Sequence, residues 1–202
     1  MKKQKQSKAK QVSIMAMTAA LFAVFFLLSR LVALPTFTFL YLPIILLGVF
    51  PLWFGWSGLA GSMIGAFIGA IYVESLPFYL GWVEITTAAA IYCLNWLLIP
   101  RVAAEAKTKK ALALLGIVYA FTLFVGTCLI LWQFMVFIPI AGVGWVFLLP
   151  TFALNLPIVL LTCPALIRAV TPKLKSWGLY SGTFSEWRLQ RAKTQVKDRY
   201  VP

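Results

Sequence analysis

Residues 38–76 read TFLYLPIILLGVFPLWFGWSGLAGSMIGAFIGAIYVESL, and the number of membrane crossings in this stretch decides the fold. It is apolar nearly throughout and too long for one crossing, since about 20 residues of helix cover ~30 Å of hydrocarbon. A Gly-Trp-Ser-Gly turn from Gly55 to Gly58 divides it into two spans, 38–54 and 57–76. Outward from there, Pro35, Pro77, the charged 101–110 loop and the Pro139–Gly144 stretch punctuate the chain. The remaining spans are then 13–34, 80–99, 111–132 and 146–169. The expectation is an all-α, polytopic membrane protein: six transmembrane helices in a compact bundle. A basic tail, 1–12, precedes the helical domain, 13–170, and a basic amphipathic tail, 171–202, follows it.

Composition agrees with that class. Of 202 residues, 62% are hydrophobic and 11% charged, and the mean hydropathy is +0.91. The net charge of +13 does not indicate a nucleic-acid partner, because the basic residues are grouped around the apolar segments. Lys2, Lys3, Lys5, Lys8 and Lys10 crowd the N-terminus. Arg101, Lys107, Lys109 and Lys110 share one loop, and a third group runs from Arg168 to Arg199. Such placement follows the positive-inside rule and attracts anionic membrane lipid. Four spans separate the first two groups and two more separate the second from the third. Both termini are therefore expected in the cytoplasm; an odd count would strand one basic group outside. The tail after about Thr171 is expected either along the inner membrane surface, with Trp177 and Trp187 at headgroup level, or in solvent.

The only acids of the apolar body, Glu74 and Glu84, bracket a short aromatic connection containing Tyr79 and Trp82. A carboxylate near hydrocarbon costs about 2.5–3.5 kcal/mol at a helix centre, and less towards the edge. Their placement marks the outer end as a candidate receptacle. Glu84, Ala88, Ile91 and Asn95 fall on one helical face, which predicts that this face points into the bundle. Trp145 enters the same end from another connection, and an indole beside a carboxylate suits a flat cation. Asn155, lower in the last span, needs either an interhelical hydrogen bond or a ligand. Arg30 either snorkels to the outer interface or pairs with an acid.

Two small-residue stripes stand out. Gly61, Gly65 and Gly69 recur every fourth residue and form a ridge for close helix approach. Ala16, Ala20 and Ala23 make a second stripe on the first helix, for internal packing or for docking another membrane subunit.

Catalytic chemistry lacks parts. With no His, neither a zinc HExxH site nor a Ser-His-Asp arrangement exists, and no phosphate-binding GxxxxGK[ST] loop is present. Cys93, Cys128 and Cys163 lie singly in apolar segments and read as buried hydrophobes. No enzyme activity, metal or cofactor is expected.

The run from Ala16 to Ala20 (AMTAA), the run from Leu42 to Leu46 (LPIIL) and the glycine-rich run from Gly55 to Gly69 together resemble the substrate-binding (S) component of energy-coupling factor vitamin transporters. The resemblance covers about residues 13–170. It implies a prokaryotic plasma-membrane subunit that captures a micronutrient at its outer end. A transmembrane coupling subunit and two ATPase subunits would drive release inside. It places docking at Ala16, Ala20 and Ala23, and substrate binding around Trp82, Glu84, Trp145 and Asn155, as in thiamin-type binders. Glu74, Tyr79 and Arg30 join that site by position, although an acidic end on the third helix departs from the family pattern. The alternatives are a small integral-membrane scaffold or assembly protein without a transported ligand, and, more remotely, an intramembrane enzyme using both acids.

Overall fold

A computed structural model describes residues 8–31, 40–73, 78, 81–137, 145–189 and 192; the side chains of Arg30, Val73, Phe134 and 145–148 are outside that description. Among these residues the chain is helical without a strand. The principal helices are α1 (Lys8–Leu31), α2 (Pro43–Ile68, continued by a π-turn Gly69–Val73), α3 (Gly81–Leu98), α4 (Lys109–Phe137) and α5 (Trp145–Ser176). Four segments are long and apolar enough to cross a membrane: Lys8–Ser29, Pro43–Tyr72, Lys109–Phe137 and Leu149–Ser176.

The central stretch is a hairpin. Gly55 takes φ 52° and ψ −130°, a backbone state that strongly favours glycine, and breaks α2 into two arms. The reversal follows from α1. The Phe26 ring lies edge-on to Tyr41, 5.4 Å between centroids, and a Cβ on Gly69 would strike the same ring. Residues at the two ends of α2 thus meet one side chain, which a straight helix of that length, roughly 39 Å, forbids. The first arm, Pro43–Phe54, has 12 residues and rises only ~18 Å. The expected full-length span at 38–54 is therefore replaced by a short arm.

Side chains from other helices bond to backbone carbonyls around the breaks in α2. Pro51 has no N–H to offer the Leu47 carbonyl. The Asn95 amide donates to it instead, at 3.2 Å, and the Asn95 oxygen accepts from Thr122 at 2.8 Å. The hydroxyls of Tyr119 and Tyr92 donate to the Gly48 and Gly55 carbonyls, at 3.2 and 2.5 Å.

The second arm carries the glycine ridge, and α1 occupies it. A Cβ on Gly61 would stand 2.5 Å from the Met15 carbonyl oxygen; one on Gly65 would stand 2.7 Å from that of Ala19. Thr18, Ala19, Phe22 and Phe26 form the buried face of α1. Ala16 and Ala20 are exposed on the opposite side and Ala23 is half-buried.

Residues 179–187, expected as part of a tail, belong to the folded body. The Ser181 and Gly182 amides donate to the Trp53 and Leu52 carbonyls, both at 2.9 Å, and the Trp96 indole donates to the Gly182 carbonyl at 3.0 Å. Thr183 then caps a helical turn over 184–189. Its amide donates to the Glu186 carboxylate at 2.9 Å while its hydroxyl accepts from the Glu186 amide at 3.3 Å, a reciprocal capping box. Phe184 and Trp187 pack with Trp56 and Trp96 over the Gly55 corner. Of the two tail indoles, only Trp177 remains exposed, at 63%. The first tail is shorter than expected too, because α1 already begins at Lys8.

Candidate functional site

The basic groups gather at one end of the bundle. Lys10 donates to the Trp177 and Gly178 carbonyls at 3.4 Å, Arg101 donates to Ser185, and Lys175 pairs with Glu105. The opposite end holds a collar of buried polar side chains drawn from α1, α3, α4 and α5, joined by the half-buried Tyr41.

Glu84 stands in the first turn of α3, where the helix dipole favours an anion, and is only 2% exposed. The Tyr41 hydroxyl donates to its Oε2 at 3.4 Å, a long bond. Tyr41 belongs to the segment entering α2, which two other side chains hold. The Tyr41 amide donates to Asn155 Oδ1 at 2.8 Å, and the Leu42 amide donates to Ser29 Oγ at 2.9 Å. These amides lie at the N-cap of α2 and one residue before it, where the helix itself offers no acceptor. Asn155 also donates its amide to the Thr151 carbonyl at 2.8 Å. Asn155 thereby ties α5 to the segment entering α2.

A second group lies one turn along α3. Thr87 donates to Gln133 Oε1 at 2.9 Å, and Gln133 Nε2 donates to Thr86 at 2.6 Å. Gln133 is 2% exposed because α4 continues to Phe137, beyond the expected end at 132. Trp82 is 37% exposed at the rim, edge-on to Phe137 with centroids 4.8 Å apart. The predicted inward face of α3 is buried along its length: Glu84, Ala88, Ile91 and Asn95 are each 3% exposed or less.

The structure thus brings Glu84 and Asn155 together through Tyr41 and puts Trp82 at the edge. Glu74 and Tyr79 lie outside the described residues. Arg30 and Trp145 are helical, in the last turn of α1 and the first of α5, and their side chains lie outside the description. Tyr41, Ser29 and Thr87 were missed. A tyrosine before an apolar run reads as an ordinary interface aromatic. Thr87, three residues after Glu84, offered a usable signal, since helical neighbours at that spacing share a face.

No family model, no curated protein and no solved structure matches the chain.

Proposed function

We propose that this chain is the membrane-embedded substrate-binding subunit of an ATP-driven importer of the energy-coupling factor kind. In this reading six passes run between the two faces, the basic end is cytoplasmic, and a small micronutrient is captured at the Glu84 end. The observation that carries the reading is Glu84 itself: a carboxylate 2% exposed in an apolar bundle, reached by a tyrosine hydroxyl from a separate element. Intramembrane carboxylates of this kind mark pathways and ligand sites. With the indole of Trp82 at the rim, the receptacle suits a flat, cationic or hydrogen-bonding heteroaromatic. Trp145, Glu74, Tyr79 and Arg30 are assigned to it by position in the chain, and Asn155 supports it by holding Tyr41. The exposed Ala16 and Ala20, with Ala23 at their edge, are the docking face for a coupling subunit whose two ATPase partners supply the energy.

The test is the melting temperature of the detergent-purified protein across a panel of vitamins that includes thiamin. One compound should raise it, and Glu84→Gln should abolish that rise while leaving the apo protein folded. Native mass spectrometry that finds no bound small molecule, together with a flat panel, would sink the reading. The competing reading, a membrane scaffold with no transported ligand, draws on Asn155 and Gln133. Each has its carbonyl and amide groups bonded within the protein, as a purely structural collar requires. That scaffold would co-purify with a membrane partner and ignore every ligand.

A further inference from the structure

At the basic end, the connection after α3 folds against the last turns of α5. A cavity of about 390 Å³ opens between them, lined by Glu105, Lys107, Ile167, Arg168, Thr171 and Lys175. Glu105 bridges Lys107, at 2.6 Å, and Lys175. The hydrogen bond from Lys107, then that from Lys175, holds its carboxyl down at about 2. One carboxylate is therefore shared by two ammonium groups, and the Arg168 guanidinium adds a cation with no counter-charge among the described residues.

Two donors of this cavity are left over. Arg168 uses its Nε on the Ala106 carbonyl, and its terminal NH2 groups have no acceptor among the described residues. Thr171 is 2% exposed and accepts from the Trp53 indole at 3.1 Å, while its own hydroxyl proton has no acceptor among those residues. A guanidinium fork, a buried hydroxyl and two ammonium groups sharing one carboxylate around a single space form a donor set matched to a tetrahedral oxyanion.

We propose that this cavity binds an anionic phosphate group. Leu161 lies seven residues before Arg168 in α5, on the same face, and is 74% exposed. An acyl chain can lie along that face while the headgroup phosphate occupies the cavity, so a lipid is the source that fits the surroundings; a free phosphate satisfies the same donors.

The experiment offers phosphatidylglycerol, phosphatidylcholine or inorganic phosphate to the detergent-purified chain. Lipid retention is read by native mass spectrometry and stability by melting temperature. Phosphatidylglycerol should be retained and phosphatidylcholine stripped. Arg168→Gln/Lys175→Gln should weaken retention about thirtyfold, the effect of removing two basic contacts to an anionic headgroup. Lys109→Gln/Lys110→Gln removes the same charge outside the cavity and should leave retention intact. A melting-temperature rise with inorganic phosphate, lost in the first variant and kept in the second, supports the site with a soluble ligand. Equal loss in both double variants, or no response to either phosphatidylglycerol or phosphate, overturns the proposal. Should Arg168→Gln fail to fold, Lys107→Gln serves in its place, because that side chain is 73% exposed and pairs with Glu105 alone.

Discussion

Asn95 shows how single side chains make this backbone possible in lipid. Hydrocarbon offers no water to a carbonyl, so a proline inside a spanning helix needs a substitute donor from elsewhere in the protein. Pro51 creates that need at Leu47, and Asn95 meets it while accepting from Thr122. Asn95→Ala strands the carbonyl and should destabilise the protein by about 1–3 kcal/mol, the usual consequence of leaving a buried polar group unsatisfied. A detergent melting curve reads this, and an unchanged curve would mean that the Leu47 carbonyl finds another partner. Ser62 is the opposite case: fully buried, its hydroxyl has no partner among the described residues. Ser62→Ala should leave the melting temperature unchanged or raise it. A clear drop would reveal a hidden acceptor or donor for that hydroxyl.

Among the elements, α1 has two faces with different tasks. Its buried face sits on Gly61 and Gly65 with backbone atoms close enough that a Cβ cannot enter, so van der Waals packing of small residues fastens α1 to the hairpin. Gly61→Leu must displace both the buried Thr18 side chain and the Met15 carbonyl, so α1 itself has to move. The expected loss is at least about 1–3 kcal/mol, the range for overpacking, seen as a lowered melting point. The other face touches nothing described. Ala16→Trp/Ala20→Trp should therefore change stability by no more than about 0.5 kcal/mol, as exposed substitutions do, while blocking co-purification of the coupling subunit proposed above. Folding intact with association lost is the signature of docking; destabilisation instead would place the stripe inside an unseen contact.

For the whole molecule, helical class, the Gly55 break and the inward face of α3 were legible, because apolar run length, glycine and the 3.6-residue period each act locally. The first arm's shortness and the docking of residues 179–187 were not. Both depend on carbonyls freed by Pro51 and Gly55 that are satisfied by groups distant in the chain, and a basic, aromatic segment carries no local mark of that duty. Tyr41 escaped notice for the same reason, since its value lies in joining Asn155 to Glu84. These long-range bonds hold an arm of only ~18 Å in the folded body. Residues 179–187 form a strap over the hairpin corner, with amides on the Leu52 and Trp53 carbonyls and rings on Trp56 and Trp96. Ser57, beside that corner and half-buried, is the place to test this arrangement. In a background with Cys93, Cys128 and Cys163 changed to Ala, Ser57→Cys should react slowly with a membrane-impermeant maleimide added from either face. Ending the chain at Ser176 removes the strap, leaves two carbonyls without donors and opens the corner. Labelling from the basic face should then accelerate, and the emission of the buried Trp96 should move to longer wavelength as water enters. Fast labelling of the full chain from the basic face would show that the corner already reaches water, and the strap would then be a surface ornament with no sealing role.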